Sequence, residues 1–179
     1  MTNLQDFYNS DDGKQYDPNN PDNASNQLNL KMLENWLINI AGMETNYKNI
    51  PCRNSNSTAY GYFQINKKAA ENAGVDHNAM KNDTKLQFKV AFENIFYLYN
   101  QLNGWISENA TARTIAQNLG KDRFTLMYGM WWRPASVQAY LGLVKDPQKY
   151  KEHLYYEETP GGMNIFKILA RARESWKPN

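Results

Sequence analysis

Apolar residues recur at three- and four-residue intervals along most of this chain, which is the spacing of one face of an α-helix. The longest run begins near residue 83 and places apolar side chains on more than one helix face, at Leu86, Phe88, Val90, Ala91, Phe92, Ile95, Phe96, Leu98, Tyr99 and Leu102. A helix that is apolar on several faces has to be surrounded by other elements. The pattern therefore predicts a long central helix over about 83–103, ended by Gly104.

A second amphipathic helix is predicted after Ser25 or Asn26, either of which can cap it. Its apolar stripe consists of Leu30, Leu33, Leu37, Ile40 and Ala41. Shorter helical patterns, mostly bounded by glycine or proline, follow at about 66–73, 108–119, 121–130, 134–144 and 163–176. Strand-like alternation is scarce, although residues 59–65 can form a small hairpin. The expected fold is a single, mostly α domain.

The first 24 residues have the composition of a polar tail. Turn-forming Asp, Asn, Gly and Pro residues dominate 11–13 and 17–23, and such segments bury little apolar surface. We therefore expect residues 1–24 to form a flexible arm and residues 25–179 to form the folded domain.

Charge and composition exclude several classes of function. The 179 residues carry 20 basic and 18 acidic side chains, a net charge of +2 that lacks the basic excess of nucleic-acid-binding domains. One cysteine, Cys52, and two histidines provide neither a disulfide framework nor a cysteine-based metal site, so no metal or cofactor is expected. No run approaches the roughly 20 apolar residues of a membrane span, and the polar start of the chain lacks the apolar core of a signal peptide.

One carboxylate, Glu44, stands at the end of the second predicted helix, four residues beyond Ile40 and hence on its apolar side. An unpaired buried carboxylate is costly, so Glu44 is either a solvated residue of the last turn or a group with a chemical task. A polar loop follows and leads to an aromatic turn around Gly61. The stretch from Glu44 to Gln64 contains no Asp and no second Glu.

These residues resemble the soluble lytic transglycosylases of the lysozyme superfamily. The pattern of that family is a helix ending in Glu-Ser, an aromatic residue two positions later, and a Ser-x-x-Gly-Ala-x-Gly-Leu-Met-Gln loop. Six positions agree in residue type, namely Glu44, Tyr47, Ser55, Ala59, Gly61 and Gln64. The departures are Thr45 for Ser, Thr58 for the first Gly, and Tyr62-Phe63 for Leu-Met. The resemblance covers about residues 28–145.

A third family element, Ala-Tyr-Asn-x-Gly followed by Pro-x-x-Val, is partly present. Tyr128 matches its tyrosine, and Pro134 to Val137 match the second part, but the Asn is missing and the two parts register only with an insertion. The resemblance implies that Tyr128 hydrogen-bonds Glu44 or stacks on a sugar. A tyrosine of the core is the alternative.

The resemblance implies a lysozyme-like fold in which Glu44 is the catalytic acid and base. The implied substrate contacts are Gln64, Ser55, Tyr62, Tyr128, Gly61 and Tyr47. Alternatives remain at several of them: Gly61 can be an ordinary turn glycine, Gln64 a structural amide, and Ser57 can take the place of Ser55.

A single carboxylate suffices to cleave a β-1,4 glycosidic bond if the substrate provides the nucleophile. Hydrolases of this kind ordinarily use two carboxyl groups, which the Glu44–Gln64 stretch does not supply. The family implies that the 6-hydroxyl of N-acetylmuramic acid attacks instead and leaves a 1,6-anhydromuramoyl end. The alternatives are a goose-type-like muramidase using Glu71 or Asp76, and a non-catalytic module that binds peptidoglycan or belongs to a virion.

The expected partner is the glycan strand of peptidoglycan, with no nucleic acid and no membrane span. Without a signal peptide, the expected setting is a bacteriophage, as a virion component that breaches the wall at entry or as a protein released at lysis. A bacterial domain trimmed from a larger exported protein is the alternative. The polar tail would then be the segment that contacts other virion proteins.

Overall fold

The computed structural model describes residues 2–53, 55–119, 123–146 and 162–176. In these ranges the helices are α1 (Thr2–Tyr8), α2 (Gln27–Thr45), α3 (Lys67–Asn72), α4 (His77–Asn82), α5 (Thr84–Glu108), α6 (Ala110–Asn118), α7 (Phe124–Trp132), α8 (Pro134–Tyr140) and α9 (Ile165–Ser175). Two 3-10 helices cover Lys14–Tyr16 and Pro21–Asn26. The described ranges contain no strand, so the prediction of a mostly α fold with a long central helix is confirmed.

Backbone contacts divide the chain into two units, the first over Met1–Phe96 and the second over Tyr97–Lys177. In the first unit the predicted stripe of α2 is buried, and it is accompanied by the buried aromatic side chains of α5. Asn66 caps α3 as expected, with its side chain accepting the Ala69 N–H at 2.8 Å. The sequence patterns that are strongest thus correspond to the elements that form the core.

The second unit is built around α7, which packs against α8 and α9. Gly129 allows their close approach, because a Cβ atom there would lie 2.9 Å from Val137 Cγ2 and 3.1 Å from Leu169 Cδ2. Phe124 and Trp176 stack with ring centroids 4.4 Å apart. Residues 120–122, at the start of the predicted 121–130 helix, lie outside the described residues.

Helix α5 continues past Gly104, where the sequence predicted its end. The helix reaches Glu108, and a Cβ atom on Gly104 would meet nothing within 4 Å. The prediction of a stop is wrong because a glycine inside a helix costs only about 1 kcal/mol. Burial of Ile106 on the following turn, with 7% of its surface exposed, offsets that cost.

The N-terminal segment also differs from the expectation of a flexible arm. Phe7 of α1 is fully buried, and its ring lies 5.8 Å from those of Phe88 and Phe92. Tyr16 is buried as well and stacks on Phe92 at 5.0 Å. These aromatic side chains bury apolar surface within an otherwise polar stretch, a packing that the expectation of a flexible arm did not include.

A tight turn returns the chain after α1. The Ser10 hydroxyl donates to the Phe7 carbonyl at 2.6 Å and accepts the Gly13 N–H at 3.2 Å. A Cβ atom on Gly13 would lie only 1.9 Å from the Phe7 carbonyl oxygen. The turn thus requires glycine at position 13, and it brings Tyr16 back beside Phe7.

Behind α1, the Tyr8 hydroxyl is buried near the half-buried carboxyl of Glu34. Among the described residues this hydroxyl makes no hydrogen bond of ordinary geometry. Burial, and then the charge of Glu34, raises the pKa of Tyr8. Burial also raises the pKa of Glu34, an effect that Asp17 reinforces and that Tyr8 and Lys31 oppose.

Candidate active site

Glu44 occupies the penultimate position of α2 and is half-buried. At about 100° per residue its side chain leaves the helix in nearly the same direction as those of Leu33 and Leu37, which are buried. The carboxylate is therefore on the apolar side of the helix, at the end where that side meets the surface. At such a position a carboxyl group can lie against apolar side chains and still be within reach of a substrate.

The backbone after Glu44 adopts a conformation that is rare for residues with side chains. Asn46 and Tyr47 have φ angles of 52° and 61°, and their N–H groups bond to the Gly42 and Ala41 carbonyls of the last turn. In the part of the chain that the structure describes, Gln64 at φ 51° is the only other non-glycine residue with a positive φ. Such residues cost about 1–3 kcal/mol each and cluster at functional sites.

The side chain of Tyr47 folds back against the helix. A Cβ atom on Gly42 would lie 2.7 Å from the Tyr47 hydroxyl oxygen, so the ring covers Gly42. Gly42 precedes Glu44 by two positions and is about 200° away around the helix. The Tyr47 hydroxyl thus lies over the helix face of Gly42, while 48% of the surface of Tyr47 stays exposed.

Thr45 fastens the end of α2 to the aromatic turn. Its buried hydroxyl lies 3.0 Å from the carbonyl oxygens of both Ala41 and Tyr62, between which its one proton is shared. The same oxygen accepts the Lys48 N–H at 3.2 Å. The residue next to Glu44 therefore ties the helix end to the turn.

The aromatic turn consists of residues 61–64, and two backbone hydrogen bonds between the flanking residues close it. Tyr60 and Ile65 exchange N–H···O bonds of 3.0 Å, so the expected hairpin is reduced to an isolated bridge. The Gln64 side chain donates from Nε2 to the Ile50 carbonyl at 3.1 Å and to the Gly61 carbonyl at 3.0 Å. These bonds use both protons of the Gln64 amide nitrogen, as expected for the alternative of a structural amide.

Gln87 of α5 also holds this turn in place. It was not among the residues singled out from the sequence. It is fully buried, accepts the Tyr62 N–H at 3.2 Å, and donates to the Met80 carbonyl at 3.2 Å and to Asn49 Oδ1 at 3.0 Å. A Cβ atom on Gly61 would lie 2.2 Å from Gln87 Oε1. Gly61, with φ +83°, is therefore required both by its backbone conformation and by this contact.

The serines of the loop have different surroundings. Ser57 Oγ accepts the Ala59 N–H at 3.1 Å, and Thr58 Oγ1 accepts the Lys67 N–H at 3.0 Å, so both hydroxyls shape the loop. Ser55 is exposed and follows residue 54, which lies outside the described residues. Of the two candidates for a sugar contact, Ser57 is the one already engaged by the backbone.

The alternative hydrolase would use the carboxylates of Glu71 and Asp76. Together with His77 they line a groove of about 430 Å³. Glu71 lies 3.8 Å from the Lys67 ammonium, and Asp76 caps α4 by accepting the Ala79 N–H at 2.8 Å. Both therefore have local structural roles in α3 and α4.

Tyr128 lies on α7 in the second unit, whereas Glu44 lies in the first. Only 1% of its surface is exposed, and its ring is 6.3 Å from that of Phe124. The guanidinium of Arg171 lies 6.0 Å from the centre of the same ring. This environment is that of a tyrosine in the core of the second unit, the alternative left open at this position.

The structure thus connects Glu44 with Tyr62 through Thr45, and joins Gly61 and Gln64 in the same turn. No family model matches the chain, and no curated protein or solved structure matches it either. The likeness to the soluble lytic transglycosylases accordingly rests on the pattern of residues.

Two further observations limit the kinds of site that the described residues form. Among them, no helix has both the length and the hydrophobicity that crossing a membrane requires. They also contain no group of three or more His, Cys, Asp or Glu side chains placed to hold a metal ion.

Proposed function

We propose that this protein is a peptidoglycan lytic transglycosylase, and that Glu44 is its catalytic acid and base. The substrate would be the β-1,4 bond between N-acetylmuramic acid and N-acetylglucosamine. The observation that carries the proposal is the Thr45 hydroxyl bridging Ala41 and Tyr62, because it ties the helix end that bears the half-buried Glu44 to a glycine-bearing turn.

Backbone strain supports a functional role for this region. Asn46, Tyr47 and Gln64 adopt left-handed conformations on either side of the loop that follows Glu44. Asn46 is an ordinary C-cap residue in this conformation, whereas Tyr47 and Gln64 are residue types that adopt it at a cost. Their presence favours a loop whose exact path is needed for a purpose beyond folding.

The proposed reaction uses the carboxyl group twice. Protonated Glu44 gives its proton to the glycosidic oxygen as the bond from that oxygen to C1 of the muramoyl sugar breaks. The carboxylate then accepts the proton of the muramoyl 6-hydroxyl, whose oxygen bonds to C1. The Glu44 proton is restored, no water is consumed, and the products are a free 4-hydroxyl and a 1,6-anhydro end.

The first test is the variant Glu44→Gln, which keeps the shape of the side chain and removes the proton donor. We expect the rate of cell-wall clearing to fall by at least about 10²-fold, the usual scale for loss of general acid–base catalysis. Glu71→Gln is the matched control, since it removes an exposed carboxylate that the proposal does not use. Full activity in Glu44→Gln, or loss of activity confined to Glu71→Gln, would contradict the assignment.

The second test concerns the product. Mass spectrometry of digested peptidoglycan should show anhydromuropeptides, each lighter by one water than the product of hydrolysis. Chitin, which lacks muramic acid, should be cleaved poorly, because its cleavage would have to proceed without the expected nucleophile-bearing sugar. Reducing muramoyl ends throughout the digest would show a hydrolase, and binding without cleavage would show the non-catalytic module.

Under this proposal the enzyme acts on the bacterial wall, delivered by a bacteriophage particle or released at lysis. The N-terminal segment is a weaker candidate for contacts with other virion proteins than the sequence suggested. Its aromatic residues Phe7 and Tyr16 are already buried in the first unit.

A further inference from the structure

A cavity of about 600 Å³ in the second unit is lined by two arginines, Arg113 and Arg123. The other described residues that line it are Asn103, Ile106, Ser107, Ala116 and Gln117, and none of these is a carboxylate. The volume falls within the range of about 300–1,000 Å³ that is usual for small-molecule sites.

Both guanidinium groups are anchored to the same turn of α5. Arg113 donates from Nε to the Ile106 carbonyl at 3.3 Å and from Nη2 to the Ser107 carbonyl at 2.6 Å. Arg123 donates from Nη1 to the side-chain oxygen of Asn103. Positions 103, 106 and 107 are spaced i, i+3 and i+4 in the last turns of α5. Both arginines are therefore anchored to the same short stretch of this helix.

The partners that hold these arginines are neutral. The acceptors of the hydrogen bonds described above are carbonyl or amide oxygens, and neither arginine forms an ion pair among the residues that the structure describes. Both arginines are exposed, so water and salt screen much of the repulsion between their like charges, and an anion bound by both would remove the remainder. Guanidinium groups that are already oriented lose little further freedom when they bind.

We propose that this cavity binds a phosphorylated small molecule of about the size of a sugar phosphate. The phosphate oxygens accept hydrogen bonds from the free N–H groups of Arg113 and Arg123, a geometry that suits the planar guanidinium. The organic part lies against the apolar side chains of Ile106 and Ala116. The site is formed by residues of the second unit and is independent of the chemistry proposed for Glu44.

The test is isothermal titration calorimetry of the full chain with glucose 6-phosphate, at constant ionic strength, with glucose as the probe that lacks phosphate. Glucose 6-phosphate should bind at millimolar concentration or below, inorganic phosphate should compete for the site more weakly, and glucose should not bind. Arg113→Gln and Arg123→Gln should each weaken binding about tenfold or more, as expected for loss of charge-assisted hydrogen bonds.

Arg173→Gln is the matched control, because Arg173 is exposed in the last turn of α9 and does not line the cavity. It should bind glucose 6-phosphate as the wild type does. If Arg113→Gln disturbs the end of α5, Arg123→Gln still tests the site, since its described bond is to a side chain. The proposal is overturned if glucose 6-phosphate does not bind, if both variants bind it as the wild type does, or if glucose binds equally well.

Discussion

Replacement of Phe7 by alanine should destabilise the first unit strongly, although Phe7 stands in the most polar part of the chain. Its ring is fully buried and lies 5.8–6.0 Å from the rings of Tyr8, Tyr16, Phe88 and Phe92. Loss of the transfer free energy, together with the cavity left behind, costs about 3–5 kcal/mol for Phe→Ala in a core. A residue in a flexible arm would change the free energy of unfolding by no more than about 0.5 kcal/mol.

Urea denaturation followed by circular dichroism measures this difference directly. The same loss should lower the melting temperature by about 6–20 °C, since each kcal/mol corresponds to about 2–4 °C in a protein of this size. Phe7→Leu, which leaves a smaller cavity, should cost less than Phe7→Ala. The graded pair separates a packing effect from a general effect of mutation in this segment.

Leu28→Ala provides the control, because Leu28 is also apolar and near the N-terminus but is 87% exposed. It should leave the free energy of unfolding within about 0.5 kcal/mol of the wild type. A Phe7→Ala protein as stable as Leu28→Ala would refute the packing of α1 against Phe88 and Phe92.

Three further substitutions test single features of the first unit and of α5. Gly61→Ala should lower the free energy of unfolding, measured with urea, by at least about 1 kcal/mol, because Gly61 has a positive φ and a Cβ atom there would meet Gln87. Gly104→Ala should raise the free energy of unfolding by about 0.5–1 kcal/mol, since a Cβ atom there meets nothing within 4 Å. Effects of the same sign in the two variants would contradict this reasoning. Glu34→Gln should be more stable than the wild type near neutral pH and equal to it well below pH 4.5, the ordinary pKa of Glu. Burial raises the pKa of the Glu34 carboxyl in the folded state, so the wild type loses stability as the pH rises from 4.5 through the raised pKa, and a difference independent of pH would exclude this cause.

The long helices could be predicted because their apolar periodicity extends over many residues. The stripe of α2 and the several apolar faces of α5 each repeat over more than three turns, so no single position decides the assignment. Helix α4 (His77–Asn82) is too short to give such a signal, and it depends on the Asp76 cap and on burial of Met80. Short elements are fixed by local contacts that periodicity does not report.

The N-terminal segment did contain a signal, but a weak one. Leu4, Phe7 and Tyr8 have the spacing i, i+3 and i+4 of a single amphipathic turn, surrounded by the turn-forming residues that dominate the composition. One turn does not form a stable helix by itself in water. Its order comes from the rings of Phe88 and Phe92, residues about eighty positions away, and composition cannot reveal such a partner.

In the candidate site, too, some residues are identified by the family pattern, and others fix the positions of those residues. Gln64 and Gly61 match the family loop, yet their described contacts are with the Ile50 carbonyl and with Gln87, which shape the turn. Gln87 could be noticed only as one polar side chain within an apolar helix face, and Thr45 only as the neighbour of Glu44. Agreement at Gly61 and Gln64 is therefore evidence about the path of the backbone, because hydrogen bonds of this kind can fix a turn without taking part in a reaction. The proposed chemistry depends on Glu44, and substitution of that residue, with the loop left intact, is what separates a catalytic site from a binding surface of the same shape.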